Sequence, residues 1–139
     1  VSRGAAFGDV DNDGDTDVLV ANAEGPPRLL VNEVGNERPW LGLRLVGDPP
    51  GGPRGGAIRD MPGARVEIVR DGAPTLWRRA RADGSYASAN DPRVLVGLGD
   101  DAAPPALVRV TWPSGAVEEW TDVPLGGYTT LVQGSGTSR

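Results

Sequence analysis

The chain has 139 residues and a formal net charge of −5, and it contains neither Cys nor His. An acidic surface argues against nucleic-acid binding through phosphate neutralisation. The missing residue types exclude disulfides, thiolate chemistry, the commonest general base and the commonest zinc ligand. No apolar run approaches the roughly 20 residues that a membrane-spanning helix needs. Gly and Pro are abundant, at 21 and 13 residues, but they separate short apolar runs, which is how a many-turned β domain reads.

The chain opens with Val1-Ser2-Arg3-Gly4-Ala5-Ala6-Phe7-Gly8, passes through an acidic loop, and continues into two β-like stretches, Val18–Ala21 and Arg28–Asn32. Its abrupt start within such a pattern is expected of a piece of a longer protein, with any leader upstream. Two or three strands cannot bury both faces alone, so this part is expected to lean on something else. From Pro39 the pattern changes. Trp40–Val46 alternates, with Leu41, Leu43 and Leu45 on one face, as a half-buried strand should. Gly47 to Gly63 reads as a long loop and Ala64–Val69 as a strand with Val66 and Ile68 inward. Asp71-Gly72 is a hairpin signal leading into Thr75–Arg81. Strands follow at Val94–Leu98, Leu107–Trp112, Val117–Trp120 and Tyr128–Val132, and then a polar tail that is expected to fray. No stretch has helical periodicity, so the expected class is all-β, a sandwich or a barrel.

The informative segment is Asp9-Val10-Asp11-Asn12-Asp13-Gly14-Asp15-Thr16-Asp17. Alternate carboxylates converge if the backbone wraps tightly, and Gly14 permits the sharp bend. Ca²⁺ takes six to eight oxygens at about 2.3–2.6 Å. The expected ligands are the side chains of Asp9, Asp11, Asp13 and Asp17 and the main-chain carbonyl of Asp15. Five like charges in nine residues would repel strongly without a cation. The segment is not an EF-hand, because the twelfth position, which should carry a bidentate Glu, is Val20, and the flanks are strand-like.

Gly4-Ala5-Ala6-Phe7-Gly8 through Asp17, with Val18-Leu19-Val20-Ala21-Asn22, resembles the FG-GAP/VCBS repeat, which builds calcium-loop blades of β-propellers. The remainder resembles the ASPIC/UnbV domain. That likeness rests on Trp40-Leu41-Gly42-Leu43-Arg44-Leu45, Gly63-Ala64-Arg65-Val66, Gly84-Ser85-Tyr86-Ala87-Ser88, Asp91-Pro92-Arg93, Val96-Gly97-Leu98-Gly99 and Trp112-Pro113-Ser114-Gly115. The resemblance implies a calcium-loop propeller-blade fragment over residues 1–37, a small β-sandwich or barrel over 38–134 and a tail over 135–139. It further implies a secreted, cartilage-acidic-protein-like protein whose upstream propeller repeats are the natural partner. Relatives encoded in enediyne biosynthetic clusters make an enzyme or accessory factor in natural-product biosynthesis the alternative.

Other constellations point away from catalysis. Arg78, Arg79 and Arg81, with Arg65 and Arg70 nearby, form either an anion or partner patch or a sheet face neutralised by Glu67, Glu118 or Glu119; the second is favoured. Ser114 lacks the nucleophile-elbow pattern and a His partner. Trp40, Trp77, Trp112 and Trp120 are expected mostly in the core, and Tyr86 is the exposed aromatic to test for ligand contact. The favoured reading is a non-catalytic calcium-binding module or scaffold, with a protein, a glycan or a small molecule as its ligand.

Overall fold

A computed structural model describes residues 1–47, 58–84, 86–100 and 103–139. Its strands are β1 (Ser2–Gly8), β2 (Asp17–Asn22), β3 (Arg28–Leu30), β4 (Trp40–Gly47), β5 (Arg59–Asp60), β6 (Arg65–Arg70), β7 (Ala73–Arg79), β8 (Val94–Gly97), β9 (Leu107–Thr111), β10 (Val117–Trp120), β11 (Tyr128–Val132) and β12 (Thr137–Ser138). The only helical element among the described residues is a 3-10 turn at Gly35–Glu37. The all-β expectation holds. Most of the expected Gly47–Gly63 loop lies outside the described residues, and β5 occupies part of the rest.

β1, β2 and β3 form an antiparallel sheet of their own. The apolar-poor start of the chain thus pairs as a full strand, because its backbone answers the Val18–Ala21 run across the acidic loop. A second sheet runs β12-β10-β9-β6-β7. In the third, β4 is flanked by β11 in parallel and by β5 and β8 antiparallel. Two sheets therefore share one core, and no barrel closes among the described residues. Val66 and Ile68 of β6 and Val108 and Val110 of β9 supply one side of that core, and Leu41, Leu43, Val94, Val96 and Leu131 supply the other. Burying each such side chain contributes about 1.5–3 kcal/mol, so the few aromatics suffice.

Two expectations change. β4 is not half-buried: every residue except Arg44 is buried. Leu41, Leu43 and Leu45 enter the core, while Trp40 on the opposite face packs against Tyr128, with ring centroids 5.4 Å apart. The polar tail is also tied down. Thr137 and Ser138 pair with Glu119 and Glu118 of β10. Glu118 faces the core side opposite Val110 and is only 5% exposed. Its carboxylate accepts the amides of Gly134 at 2.8 and 3.0 Å and Gly136 at 3.1 Å, folding the tail back.

Hydrogen bonds to a buried charge are worth about 1.5–3 kcal/mol. Glu118→Ala is therefore expected to lower the unfolding free energy by about 2–3 kcal/mol in urea titrations and to speed amide exchange at Gly134 and Gly136. Unchanged exchange there would mean that the tail is held by β12 pairing alone.

Candidate functional site: the acidic turn and its clamp

The turn is built where β1 meets β2. Gly8 pairs with Asp17, leaving residues 9–16 to cross between the strands. The turn is wound by its own carboxylates. Asp9 accepts the amides of Asp13 at 3.1 Å and Gly14 at 3.0 Å. Asp17 accepts the amide of Val10 at 2.8 Å and, with its other oxygen, that of Asn32 at 2.9 Å, so the chain leaving β3 is held to the same turn. Asp13 accepts the amide of Asp15 at 3.1 Å and the side-chain amide of Asn36. Asn12 and Gly14 both have left-handed backbone, with φ of 63° and 99°.

This winding brings three of the four expected side-chain ligands together and holds the fourth, Asp13, apart, while Asp15 was expected to contribute only its main-chain carbonyl. One carboxylate oxygen each from Asp9, Asp11 and Asp17 lies within 4.8 Å of the others. Asp9 and Asp17 are buried and Asp11 is exposed. Asp13 and Asp15 do not place a carboxylate in that group; both oxygens of Asp13 are engaged with donors outside it. Asp15 is 4% exposed, and one of its oxygens accepts the Gly35 amide at 3.2 Å. The other oxygen, Oδ1, is buried without any partner, a costly arrangement for a carboxylate. Asp11 and Asp15 are both held above the ordinary carboxylate range, first by lost hydration. Next come neighbouring charges: Asp13 then Asp17 for Asp11, and chiefly Asp13 for Asp15. This set of hard oxygens, with negative charge in excess, fits a hard divalent cation.

The turn is clamped from outside by residues the sequence reading had not singled out as site residues. The Arg93 guanidinium donates to the Asp9 carbonyl at 2.6 Å and to the Asn12 side chain, and it pairs with Asp91 at 2.6 Å. It lies 3.9 Å over the Tyr128 ring. The Tyr128 hydroxyl donates to Asp9 Oδ2 at 2.9 Å, and its own ionisation is pushed upward, first by burial and then by that carboxylate. The strand backbone continues the junction, with the Asp91 amide donating to the Phe7 carbonyl at 2.9 Å. Gly14 closes it: a Cβ there would sit 2.0–2.3 Å from atoms of the Trp40 indole. The available signal was the Asp91-Pro92-Arg93 run, whose charged pair had no sequence neighbour to serve.

A family model described as ASPIC and UnbV matches residues 54–138, more than half of the chain. The chain belongs to the ASPIC and UnbV family. Nothing among curated proteins matches it. The matched span holds β5 to β12, and so Arg93 and Tyr128, whereas the acidic turn and β4 precede it.

Elsewhere in this ASPIC/UnbV chain the expected neutralisation of the arginine face fails. Glu67 and Glu119 are both taken by Arg109, each at 2.7 Å, and Glu118 serves backbone amides. Arg70 donates to the Pro74 and Leu98 carbonyls, and Arg81 pairs with Asp83 at 2.8 Å. Ser114 accepts the Gln133 side-chain amide at 3.1 Å within the turn after Trp112. Trp40 and Trp112 are buried and Trp120 packs on the core, but Trp77 is 61% exposed. Tyr86 is exposed, as expected.

Gly14 and Gly25 share left-handed φ values of 99° and 90°, but nothing approaches a Cβ at Gly25. Both Ala variants carry the backbone strain, and only Gly14→Ala adds overpacking, worth about 1–3 kcal/mol. Urea unfolding should therefore rank Gly14→Ala as the more damaging by about that margin, with a shift in Trp fluorescence. Equal losses would show that the Trp40 contact does not restrain the turn.

Proposed function

We propose that the chain is a non-catalytic, calcium-binding module of a secreted protein, in which the ion organises the β1–β2 turn against the ASPIC/UnbV β domain. The observation that carries this is the convergence of Asp9, Asp11 and Asp17 oxygens in a turn that also holds the unpartnered Asp15 Oδ1. Three or more carboxylates suit Ca²⁺ better than Mg²⁺, which keeps its waters and takes one or two. Bound Ca²⁺ would also offset the mutual repulsion that adds to lost hydration in raising Asp11 and Asp15.

On this reading residues 1–37 are an FG-GAP/VCBS-type blade whose neighbours are upstream propeller repeats. The exposed apolar side chains of its small sheet support that. Leu19, Leu29, Leu30 and Val31 are each 45–56% exposed, and a three-stranded sheet needs such faces covered. Adjoining repeats would cover them.

Asp11 tests the ion most cleanly, because it is exposed and the turn's bonds to Asp9, Asp13 and Asp17 do not use its side chain. Asp11→Ala is expected to weaken Ca²⁺ by roughly tenfold or more in calorimetric titration while leaving the calcium-free melting temperature nearly unchanged. Asp13→Ala should weaken it less and destabilise the turn more, since Asp13 carries the Asp15 and Asn36 contacts. A wild-type chain that shows no heat of Ca²⁺ binding at millimolar ion would overturn the proposal.

A further inference from the structure

A cleft of about 420 Å³ opens between the end of β1, the end of β7 and the segment entering β8. Phe7, Arg78, Arg79, Arg81, Arg93 and Leu95 are among the residues that line it. The size is that of a small-molecule site, and such sites favour junctions between folding units.

Its charges do not cancel. Of the carboxylates in the lining, Asp83 is paired with Arg81 at 2.8 Å and Asp91 with Arg93 at 2.6 Å. Asp9 already accepts two amides and the Tyr128 hydroxyl. Among the described residues neither Arg78 nor Arg79 has a carboxylate within ion-pair distance. Arg78 donates only to the neighbouring Trp77 carbonyl, at 2.9 Å. Arg79 stands directly opposite Arg65 in the β6–β7 ladder, a like-charge pairing that costs stability unless an anion lies nearby. A chain with 19 acidic residues thus leaves two arginines of the cleft lining without an ion-pair partner among the described residues. Phe7, 45% exposed, supplies an apolar surface in the same lining.

We infer that this cleft binds a small organic anion, its carboxylate or phosphate drawn to the positive charge that Arg78 and Arg79 place at the end of β7 and its apolar body against Phe7 and Leu95. Guanidinium forks hold planar oxyanions in charge-assisted pairs. An inorganic anion would use the arginines alone, whereas an organic one gains the Phe7 contact as well.

The test is a calorimetric titration with 2-naphthoate, its neutral alcohol analogue 2-naphthylmethanol, acetate and inorganic phosphate in calcium-free buffer, repeated in saturating Ca²⁺ for all but phosphate, which Ca²⁺ would precipitate. Naphthoate should bind at least about tenfold more tightly than the alcohol, acetate or phosphate. The double change Arg78→Gln with Arg79→Gln should weaken naphthoate by about tenfold or more. Arg28→Gln, on β3 and away from the cleft, should leave its affinity unchanged. Equal affinity for naphthoate and the alcohol, or an unaltered titration in the double variant, would overturn the inference, as would phosphate binding as tightly as naphthoate. A chain that binds naphthoate through these arginines but takes no Ca²⁺ would sink the calcium reading alone; the reverse result would sink this one alone.

Discussion

The burial of β4 on both faces is the constraint from which the arrangement of the site follows. A strand flanked on both edges and covered on one face by a leucine core still has a second face, and here that face carries Trp40. Something must cover an indole of that size. The acidic turn does so, at the one position where a side chain is missing. Gly14 therefore serves two ends: its left-handed backbone bends the turn, and its missing Cβ lets the turn lie on Trp40. Any larger residue would push the carboxylates away from the β domain.

Arg93 and Tyr128 then set the electrostatics of the junction. A turn with five aspartates repels itself, and it needs positive charge and donors at defined points. Arg93 supplies charge to the Asp9 carbonyl and the Asn12 side chain, while Tyr128 supplies a donor to the Asp9 carboxylate. Neither neutralises Asp11, Asp15 or Asp17. The protein thus satisfies the carboxylates of Asp9, Asp13 and Asp17 with its own donors and leaves the buried Asp15 Oδ1 without one. The coupling also runs backwards: whatever tightens the turn tightens its seat on β4 and β11.

The acidic turn was legible in the sequence because the spacing of its aspartates is local information. So were most strands, through two-residue alternation and the Gly-, Pro- and Asp-rich breaks between them. β1 was not, because Ser2–Gly8 has few apolar residues and pairs only by virtue of its neighbour. β5 and β12 are two residues each, too short to leave a periodic signal, and they exist because β4 and β10 present unpaired edges. Alternation in Trp40–Val46 correctly placed the leucines inward but could not reveal that the other face was also covered.

The sequence by itself determined the class of fold, the membership in the ASPIC and UnbV family and the concentration of hard oxygen donors, because periodicity, turn chemistry and local charge are encoded within a few residues. Tertiary structure alone decided which carboxylates meet, that Arg93 and Tyr128 hold them from more than 80 positions away, and that Arg109 rather than the β7 arginines takes the nearby glutamates. Those outcomes depend on strand register and on the parallel pairing of β4 with β11, which join distant segments and leave no mark on either one.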